Sequence, residues 1–331
     1  MSASTSEMTA TRGPALASGA DLASSTQAAA LAAAAWVGRG DKNAVDGAAV
    51  AAMRRALADL AIDGTVVIGE GEKDDAPMLF TGERVGSGWG TACDVAVDPV
   101  DGTRLAALGL DNAISALAVA ERGAMFDASS VFYMQKLAAG PAAAGVVDLR
   151  LPVRENIFRL AEVLRRDPHG ICVSVLDRPR HDELVAEIRA TGARVRLLPD
   201  GDVAAAIAAV SEGSGVDLLL GSGGSPEGVL AAAAVRCFGG VFQGRLWPQS
   251  SAERTWMAAR GYESGQVLSA KDLVAGDDVV FVATGVTEGS LFRGVRSEGG
   301  DHVTQSLVAD ARSGRRHLVE SRHPQRPRAS S

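Results

Sequence analysis

The second half of the sequence alternates short apolar runs with segments of helical periodicity. Three predicted strands, each followed by a predicted helix, occur in the order 171–176, 182–191, 194–198, 200–210, 216–220 and 229–238. Because strands separated by helices line up side by side in one sheet, this alternation predicts a parallel or mixed sheet covered on both faces. Ligands of such sheets bind at the loops that follow the strands.

The first half has a less regular pattern. Its predicted helices and strands lie at 26–36, 48–60, 65–68, 95–97, 112–119 and 154–166. The change of rhythm between residues 150 and 170 indicates an N-terminal α+β half (26–160) and a C-terminal α/β half (161–315), with a cleft between them. Residues 1–25, rich in Ser, Thr and Ala, are predicted to be a disordered extension, and residues 316–331 a flexible tail.

The composition restricts the class of protein and its compartment. At 331 residues and 47% hydrophobic, the chain can bury a sizeable core. The formal net charge of −7 argues against a nucleic-acid-binding protein, although an acidic protein can still bind phosphate esters through metal cations. The alanine-rich tracts are too short to span a bilayer. The three widely spaced cysteines are expected to be reduced, buried thiols, so we expect a cytoplasmic protein with no membrane partner.

The segment DVAVDPVDGT, residues 94–103, gathers three carboxylates around a short predicted strand. Like charges so close together repel each other, so Asp94, Asp98 and Asp101 need a compensating partner. Other acids lie beside glycine at predicted strand ends or helix starts, namely Asp46, Glu70, Glu72 and Glu227. All-oxygen ligand sets suit Mg²⁺ or Mn²⁺, and the lack of His/Cys clusters in the sequence argues against zinc.

Each of these acids alone could be only a helix cap or a turn residue, but together at loop ends they favour a metal site. Thr103 has two compatible interpretations, an N-cap hydroxyl or a hydroxyl that orients an attacking water. Asp94 precedes the apolar part of its strand, so a structural role is predicted for it.

The motif DPVDGT resembles the D-P-I/L-D-G/S-T signature of the lithium-sensitive, metal-dependent sugar-phosphate and inositol-phosphate phosphatases. A more specific resemblance is to the class II fructose-1,6-bisphosphatases of bacteria. It rests on an ordered series of segments: GRGDKNAVDGAAV, IDGTVVIGEGEKDDAPML, DVAVDPVDGTR, RPRHDELVAEIR, PDGDVAAAI, GSGGSPEGV and FVATGVTEGSL. The series covers residues 25–310 and implies an α/β (α+β) fold, a layered α-β-α-β-α sandwich of the sugar phosphatase and inositol monophosphatase type.

The resemblance also implies that the N-terminal half binds metal and the C-terminal half binds substrate, and it implies roles for individual residues. One Mg²⁺ or Mn²⁺ ion would be held by Asp46 and Glu70, and another by Asp98, Asp101 and Glu227. Lys42, Asp46 and Thr103 would be needed for catalysis, with Thr103 positioning the attacking water. The family's substrate contacts fall on Asp101, Gly102, Thr103, Tyr133, Arg178, Pro179, Arg180, Asp200, Gly201, Asp202 and Gly224. The family resemblance favours a homodimer or homotetramer.

The implied reaction is hydrolysis of the 1-phosphate of D-fructose 1,6-bisphosphate in gluconeogenesis. The alternatives are the same chemistry on sedoheptulose 1,7-bisphosphate, an inositol phosphate or a cyclitol phosphate, and a non-catalytic sugar-phosphate sensor. Tyr133 could instead be a core aromatic residue, and Arg178 and Arg180 could be solvated loop charges. Ser222 lies in GSGG, where relatives often have GIGG, and this polar change bears on the choice of substrate more than on the reaction type.

Overall fold

The computed structural model of the chain describes residues 17–71 and 78–324, which form two β-sheets and three layers of helices. The helices are α1 (Gly19–Ala34), α2 (Lys42–Ala58), α3 (Thr103–Leu108), α4 (Val153–Val163), α5 (Asp182–Ala190), α6 (Asp202–Val210), α7 (Ser225–Phe238), α8 (Ser251–Ala259) and α9 (Ala270–Leu273). The strands are β1 (Ile62–Ile68), β2 (Arg84–Val85), β3 (Thr91–Asp101), β4 (Ile114–Glu121), β5 (Tyr133–Ala139), β6 (Cys172–Leu176), β7 (Arg194–Leu198), β8 (Leu218–Gly224), β9 (Val241–Leu246), β10 (Leu268–Ser269), β11 (Val279–Gly285), β12 (Arg296–Glu298), β13 (Asp301–Asp310) and β14 (Arg316–Pro324).

Both sheets are mixed. The first has eight strands in the order β12-β13-β11-β4-β3-β1-β2, with β14 paired to β13. In it β1 and β3 are parallel, whereas β4 is antiparallel to both β3 and β11. The second sheet has six strands in the order β10-β9-β5-β8-β6-β7. Its strand β6 is parallel to β7 and β8, as the strand–helix alternation of the sequence predicts.

Helical layers alternate with the sheets. Helices α1 and α2 cover the outer face of the first sheet, where Leu22 and Met53 are fully buried. Helices α4 and α5 cover the outer face of the second sheet through Ile157 and Ile188. Helices α6 and α7 fill the space between the sheets, and the buried alanines 231–234 of α7 let the backbone approach its neighbours closely. The result is the α-β-α-β-α sandwich that the resemblance implies.

Two expectations from composition can be compared with this core. Cys93, Cys172 and Cys237 are buried free thiols, as predicted. Among the helices of the described ranges, none is long and apolar enough to cross a membrane.

Helix α1 begins earlier than the sequence pattern indicates. Its first residue is Gly19, seven residues before the predicted start, and Ser18 caps it by accepting a hydrogen bond from the Asp21 backbone. Leu22 and Ala23 of the first turns are buried against the first sheet. The helix therefore begins within the segment 1–25 that was predicted to be an extension, and its capped first turn has its own apolar contacts. Residues 1–16 lie outside the described part.

Helix α2 also begins earlier, and this places two predicted site residues on a helix. Asp41 is its N-cap and accepts a hydrogen bond of 3.0 Å from the Ala44 backbone. The break predicted through residue 47 thus ends at Asp41, and the helix starts at Lys42. Lys42 and Asp46 are four residues apart, so they lie one above the other on one face of the helix.

The two predicted sequence halves do not coincide with the two sheets. Strand β5 comes from the first half but lies in the second sheet, between β8 and β9. Strands β11, β12 and β13 come from the second half but complete the first sheet. Strand β14 comes from the segment predicted to be a tail, and it pairs with β13 from Arg316 onward. Apolar strand runs carry no information on which sheet they join, so the exchange could not be predicted from periodicity.

Candidate active site

A cavity of about 660 Å³ is lined by residues of both sheets and of their connecting loops. Most of the predicted site residues line it, namely Asp46, Glu70, Asp98, Asp101, Gly102, Thr103, Tyr133, Arg178, Arg180, Asp200, Gly201, Asp202, Gly224 and Glu227. Lys42 and Pro179 do not line it. Lys42 is exposed on the first turn of α2, and Glu72 lies outside the described residues.

A β-bulge explains how Asp98 and Asp101 reach the same cavity. Three residues apart on a regular strand, they would point to opposite faces. Asp98 lies opposite Ala116 and Asp101 opposite Ile114, so β3 has one more residue than β4 in this interval. Pro99 lies inside the bulge, where a missing backbone N–H is tolerated. The bulge turns both carboxylates towards the cavity between the sheets.

Gly102 and Thr103 convert the end of β3 into the start of α3. Gly102 is the N-cap residue and has a φ of 87°, which is a left-handed conformation that glycine adopts readily. The N-cap interpretation of Thr103 is therefore wrong. Its hydroxyl instead donates a hydrogen bond of 2.9 Å to the Val100 carbonyl. The hydroxyl hydrogen of Thr103 is used in this bond, but the lone pairs of its oxygen can still accept a hydrogen bond from a water in the cavity.

Five acids on the cavity wall have raised pKa values. Burial raises the pKa of Asp101 to about 8, with a further contribution from the charge of Asp202. Burial raises the pKa of Glu70 to about 8, with further contributions from the charges of Asp46 and Glu227. Burial, followed by the charges of Asp101 and Glu70, raises the pKa of Asp98 well above its usual value. Burial also raises the pKa values of Asp46 and Glu227. Mutual repulsion and desolvation thus disfavour the charged forms until a cation is present.

The acids have the chemistry expected of ligands for a hard divalent cation. The buried Oε2 atom of Glu227 has no hydrogen-bond partner among the described residues. A methyl group at Gly224 would overlap that oxygen, so glycine is required there for the carboxylate to lie against the backbone. Within residues 17–71 and 78–324, no three acidic, His or Cys side chains yet converge closely enough to hold one ion. The donor set fits Mg²⁺ or Mn²⁺, and binding requires the carboxylates to draw together.

Asp101 connects this acidic wall to the loop before α6. Its Oδ2 atom accepts a hydrogen bond of 2.9 Å from the Ala204 backbone in the first turn of α6. Gly201, the N-cap of α6, has a φ of 82° and passes close to the same carboxylate. Asp200, Gly201 and Asp202 therefore reach the cavity as one turn that is fixed to β3.

Two arginines form a basic side of the same cavity. Arg178 donates to the Pro199 carbonyl at 2.6 Å and to Asp200 Oδ1 at 3.2 Å. Arg180 donates through Nε to Ser222 Oγ at 2.9 Å and through Nη2 to the Ser222 carbonyl at 2.8 Å. Both side chains are thus held in place rather than free in solvent. This geometry suits recognition of phosphate oxygens.

Tyr133 lies beneath this basic side. The Arg180 guanidinium lies 5.3 Å from the centre of the Tyr133 ring, within the range of a cation–π contact. Tyr133 is partly exposed to the cavity and makes edge-to-face contacts with Phe132 and Trp247. It is therefore a wall residue of the cavity rather than a core aromatic residue.

Three further residues contribute to the structure around the site. His181 is buried between the Leu176 carbonyl (2.8 Å) and Ser222 Oγ (3.0 Å). Ser222 thereby joins His181 to Arg180. Lys136 is buried in β5 and pairs with Asp202, and it was not identified. A lone charge inside the apolar strand YMQKLAA was the available signal.

The comparisons with known proteins agree with this geometry. The family model described as bacterial fructose-1,6-bisphosphatase, glpX-encoded, matches residues 17–323. The chain is 44% identical over 311 residues to fructose-1,6-bisphosphatase 1 class 2 of Escherichia coli K12, covering 90% of this chain and 92% of the relative. The class 2 enzyme of Shigella flexneri matches with the same identity and coverage. The chain therefore belongs to the glpX-encoded, class II family of bacterial fructose-1,6-bisphosphatases.

Proposed function

We propose that this protein is a metal-dependent phosphoric monoester hydrolase that converts D-fructose 1,6-bisphosphate and water to D-fructose 6-phosphate and phosphate. The observation that carries the proposal is a single cavity lined both by a cluster of buried carboxylates and by two guanidinium groups that hydrogen bonds hold in place. A sugar with two phosphates suits such a cavity, because cations held by the carboxylates and the guanidinium groups can each bind a phosphate. The names of the relatives, which are fructose-1,6-bisphosphatases, support the same substrate.

The acidic wall is proposed to hold the cations. Asp46 and Glu70 would bind one Mg²⁺ or Mn²⁺ ion, and Asp98, Asp101 and Glu227 another. When bound, such ions neutralise phosphate oxygens, lower the pKa of water and stabilise the leaving oxygen. The unpartnered Oε2 atom of Glu227 supports its assignment as a ligand. Lithium, as the family resemblance implies, would compete for one of these positions.

The chain's own residues are proposed to orient the reactants at the 1-phosphate. Thr103 Oγ1 would accept a hydrogen bond from the attacking water, because its own hydrogen is donated to Val100. This contact fixes the direction of the water lone pair that attacks phosphorus. Lys42 does not line the cavity, so its proposed part is to support Asp46, one turn further along α2. No covalent phosphoenzyme is required.

The remaining wall residues are proposed to bind the rest of the sugar phosphate. Arg178 and Arg180 would contact the 6-phosphate, and the Tyr133 ring would support the Arg180 guanidinium from below. Asp200 and Asp202 would accept hydrogen bonds from sugar hydroxyls. Gly102, Gly201 and Gly224 would let the backbone approach the substrate closely, and Pro179 would hold the loop between the two arginines.

A substrate panel tests the proposal against its rivals. Phosphate release from fructose 1,6-bisphosphate, sedoheptulose 1,7-bisphosphate, an inositol phosphate and a cyclitol phosphate is measured with Mg²⁺ or Mn²⁺. The highest kcat/KM is expected for fructose 1,6-bisphosphate. Asp98→Asn should abolish turnover, whereas Asp59→Asn, at an exposed position, should not. Faster turnover of another member of the panel would refute the substrate assignment, and binding without any turnover would favour the sensor.

The cellular setting follows from the reaction. Formation of fructose 6-phosphate from the bisphosphate is a gluconeogenic step, so we propose that role, in the cytoplasm, for a homodimer or homotetramer. Light scattering of the purified protein measures the assembly directly.

A further inference from the structure

A buried lysine lies next to the cavity, in contact with the lining residue Asp202. Lys136 is in the middle of β5 with a side chain that is 2% exposed, and its Nζ atom lies 2.6 Å from Asp202 Oδ2. Asp202 is itself 7% exposed. Burying an ammonium group is costly unless a partner compensates the charge, so this pair is held together strongly.

Glycines form the cradle for the lysine side chain. A methyl group at Gly223 would overlap Asp202 Oδ2 and would lie 3.1 Å from Lys136 Nζ. A methyl group at Gly228 would lie 3.2 Å from Lys136 Cε. The absence of side chains at both positions gives the ammonium group a path to Asp202 between β8 and α7. Both glycines therefore leave room for the lysine side chain and its contact with Asp202.

The pair fixes the turn that carries the proposed sugar ligands. Asp202 is the first residue of α6, and Lys136 binds its Oδ2 atom. Two residues further on, the Ala204 backbone donates to Asp101. The first turn of α6 is thus fixed at two points, one on each sheet. Within residues 17–71 and 78–324, no hydrogen bond reaches the other Asp202 oxygen, Oδ1, which remains available to a substrate hydroxyl.

We propose that Lys136 is a positioning residue that holds the Asp202 carboxylate in the orientation in which it accepts a hydrogen bond from a sugar hydroxyl. Lys136 does not line the substrate cavity, and its hydrogen bond to Asp202 is its direct contact with a cavity residue. The inference rests on the proposed function, because it assigns Asp202 to the sugar of that substrate. Losing an oriented, charged hydrogen-bond acceptor weakens substrate binding about tenfold or more. Because the hydrogen bond from the sugar hydroxyl stabilises the bound substrate and the transition state equally, its loss should change KM more than kcat.

The test compares Lys136→Met, Asp202→Asn and the double variant with Lys271→Met, which removes a lysine that is exposed on α9. Each single variant is expected to raise KM for fructose 1,6-bisphosphate about tenfold, with kcat changed by less than about threefold. The double variant should have the KM of Asp202→Asn alone, because the two residues act as one unit. Lys271→Met should match the wild type.

A second readout does not depend on turnover. In urea with a chelator present, each single variant should unfold at lower urea concentration than the wild type, and the double variant should recover most of the loss. The double variant, which leaves no buried charge unpaired, keeps the test valid if Lys136→Met does not fold.

An unchanged KM in Lys136→Met, or a KM in the double variant well above that of Asp202→Asn, would overturn the positioning role. Failure of the wild type to hydrolyse the bisphosphate would refute the proposed function instead. Urea unfolding of the single and double variants would still test whether Lys136 and Asp202 stabilise each other.

Discussion

Replacing Glu70 with Gln is expected to stabilise the metal-free protein and to weaken its stabilisation by metal ions. Burial and the charges of Asp46 and Glu227 raise the pKa of Glu70 from 4.5 to about 8. Between these two values the folded protein retains a proton that the unfolded chain has lost, so stability falls as pH rises through this window. At pH 7 the resulting penalty is about 3 kcal/mol. Glutamine keeps the shape of the side chain and cannot ionise.

Urea unfolding in the presence of a chelator measures this penalty. At pH 7 Glu70→Gln should be more stable than the wild type by up to about 3 kcal/mol, and its stability should depend less on pH between about 5 and 8. Adding Mn²⁺ should reverse the order, because the ion stabilises the wild type by mass action and the variant lacks a ligand. Glu187→Gln, at an exposed position on α5, is the matched control and should behave as the wild type.

Two results would refute this reasoning. If Glu70→Gln were less stable than the wild type in chelator at pH 7, the carboxylate would not be destabilised by its neighbours. If Mn²⁺ stabilised both proteins equally, Glu70 would not be a ligand.

Three further predictions concern residues in or next to the cavity. Arg180→Lys removes the two-point contact with Ser222, so KM should rise about tenfold with a smaller change in kcat, measured by phosphate release. Burial lowers the pKa of His181 from 6.5, so the unfolded chain gains a proton first and stability should fall as pH drops below about 6.5. Urea unfolding of His181→Gln should lack this component, and an identical pH dependence would contradict it. Gly224→Ala should displace Glu227 and weaken Mn²⁺ binding measured by calorimetry, whereas unaltered affinity would show that the close approach is dispensable.

Local patterns predicted the second sheet better than the first. The alternation after residue 170 identified β6, β7 and β8 because each strand contains several apolar residues between polar turns and is followed by a segment of helical periodicity. The early starts of α1 and α2 were missed because alanine and polar residues at their first turns give little periodicity. The capping residues Ser18 and Asp41 were the overlooked signals.

The candidate site was predicted in its residues but not in its geometry. The crowding of acids in DVAVDPVDGT indicated a cation, yet the bulge that turns Asp98 and Asp101 to one face depends on pairing with β4. Asp94 accepts a hydrogen bond from the Met125 backbone, in keeping with its predicted structural role. Lys136 was missed because its partner lies 66 residues away in the sequence, and only the fold brings the two charges together.

The most direct test of the central claim is a product assay on chelator-treated protein with fructose 1,6-bisphosphate. Phosphate and fructose 6-phosphate are measured together before and after adding Mg²⁺ or Mn²⁺. No product is expected without metal. After metal is added, phosphate and fructose 6-phosphate are expected in equal amounts. Undiminished phosphate release in the presence of chelator, or release of the 6-phosphate instead of the 1-phosphate, would contradict the central claim.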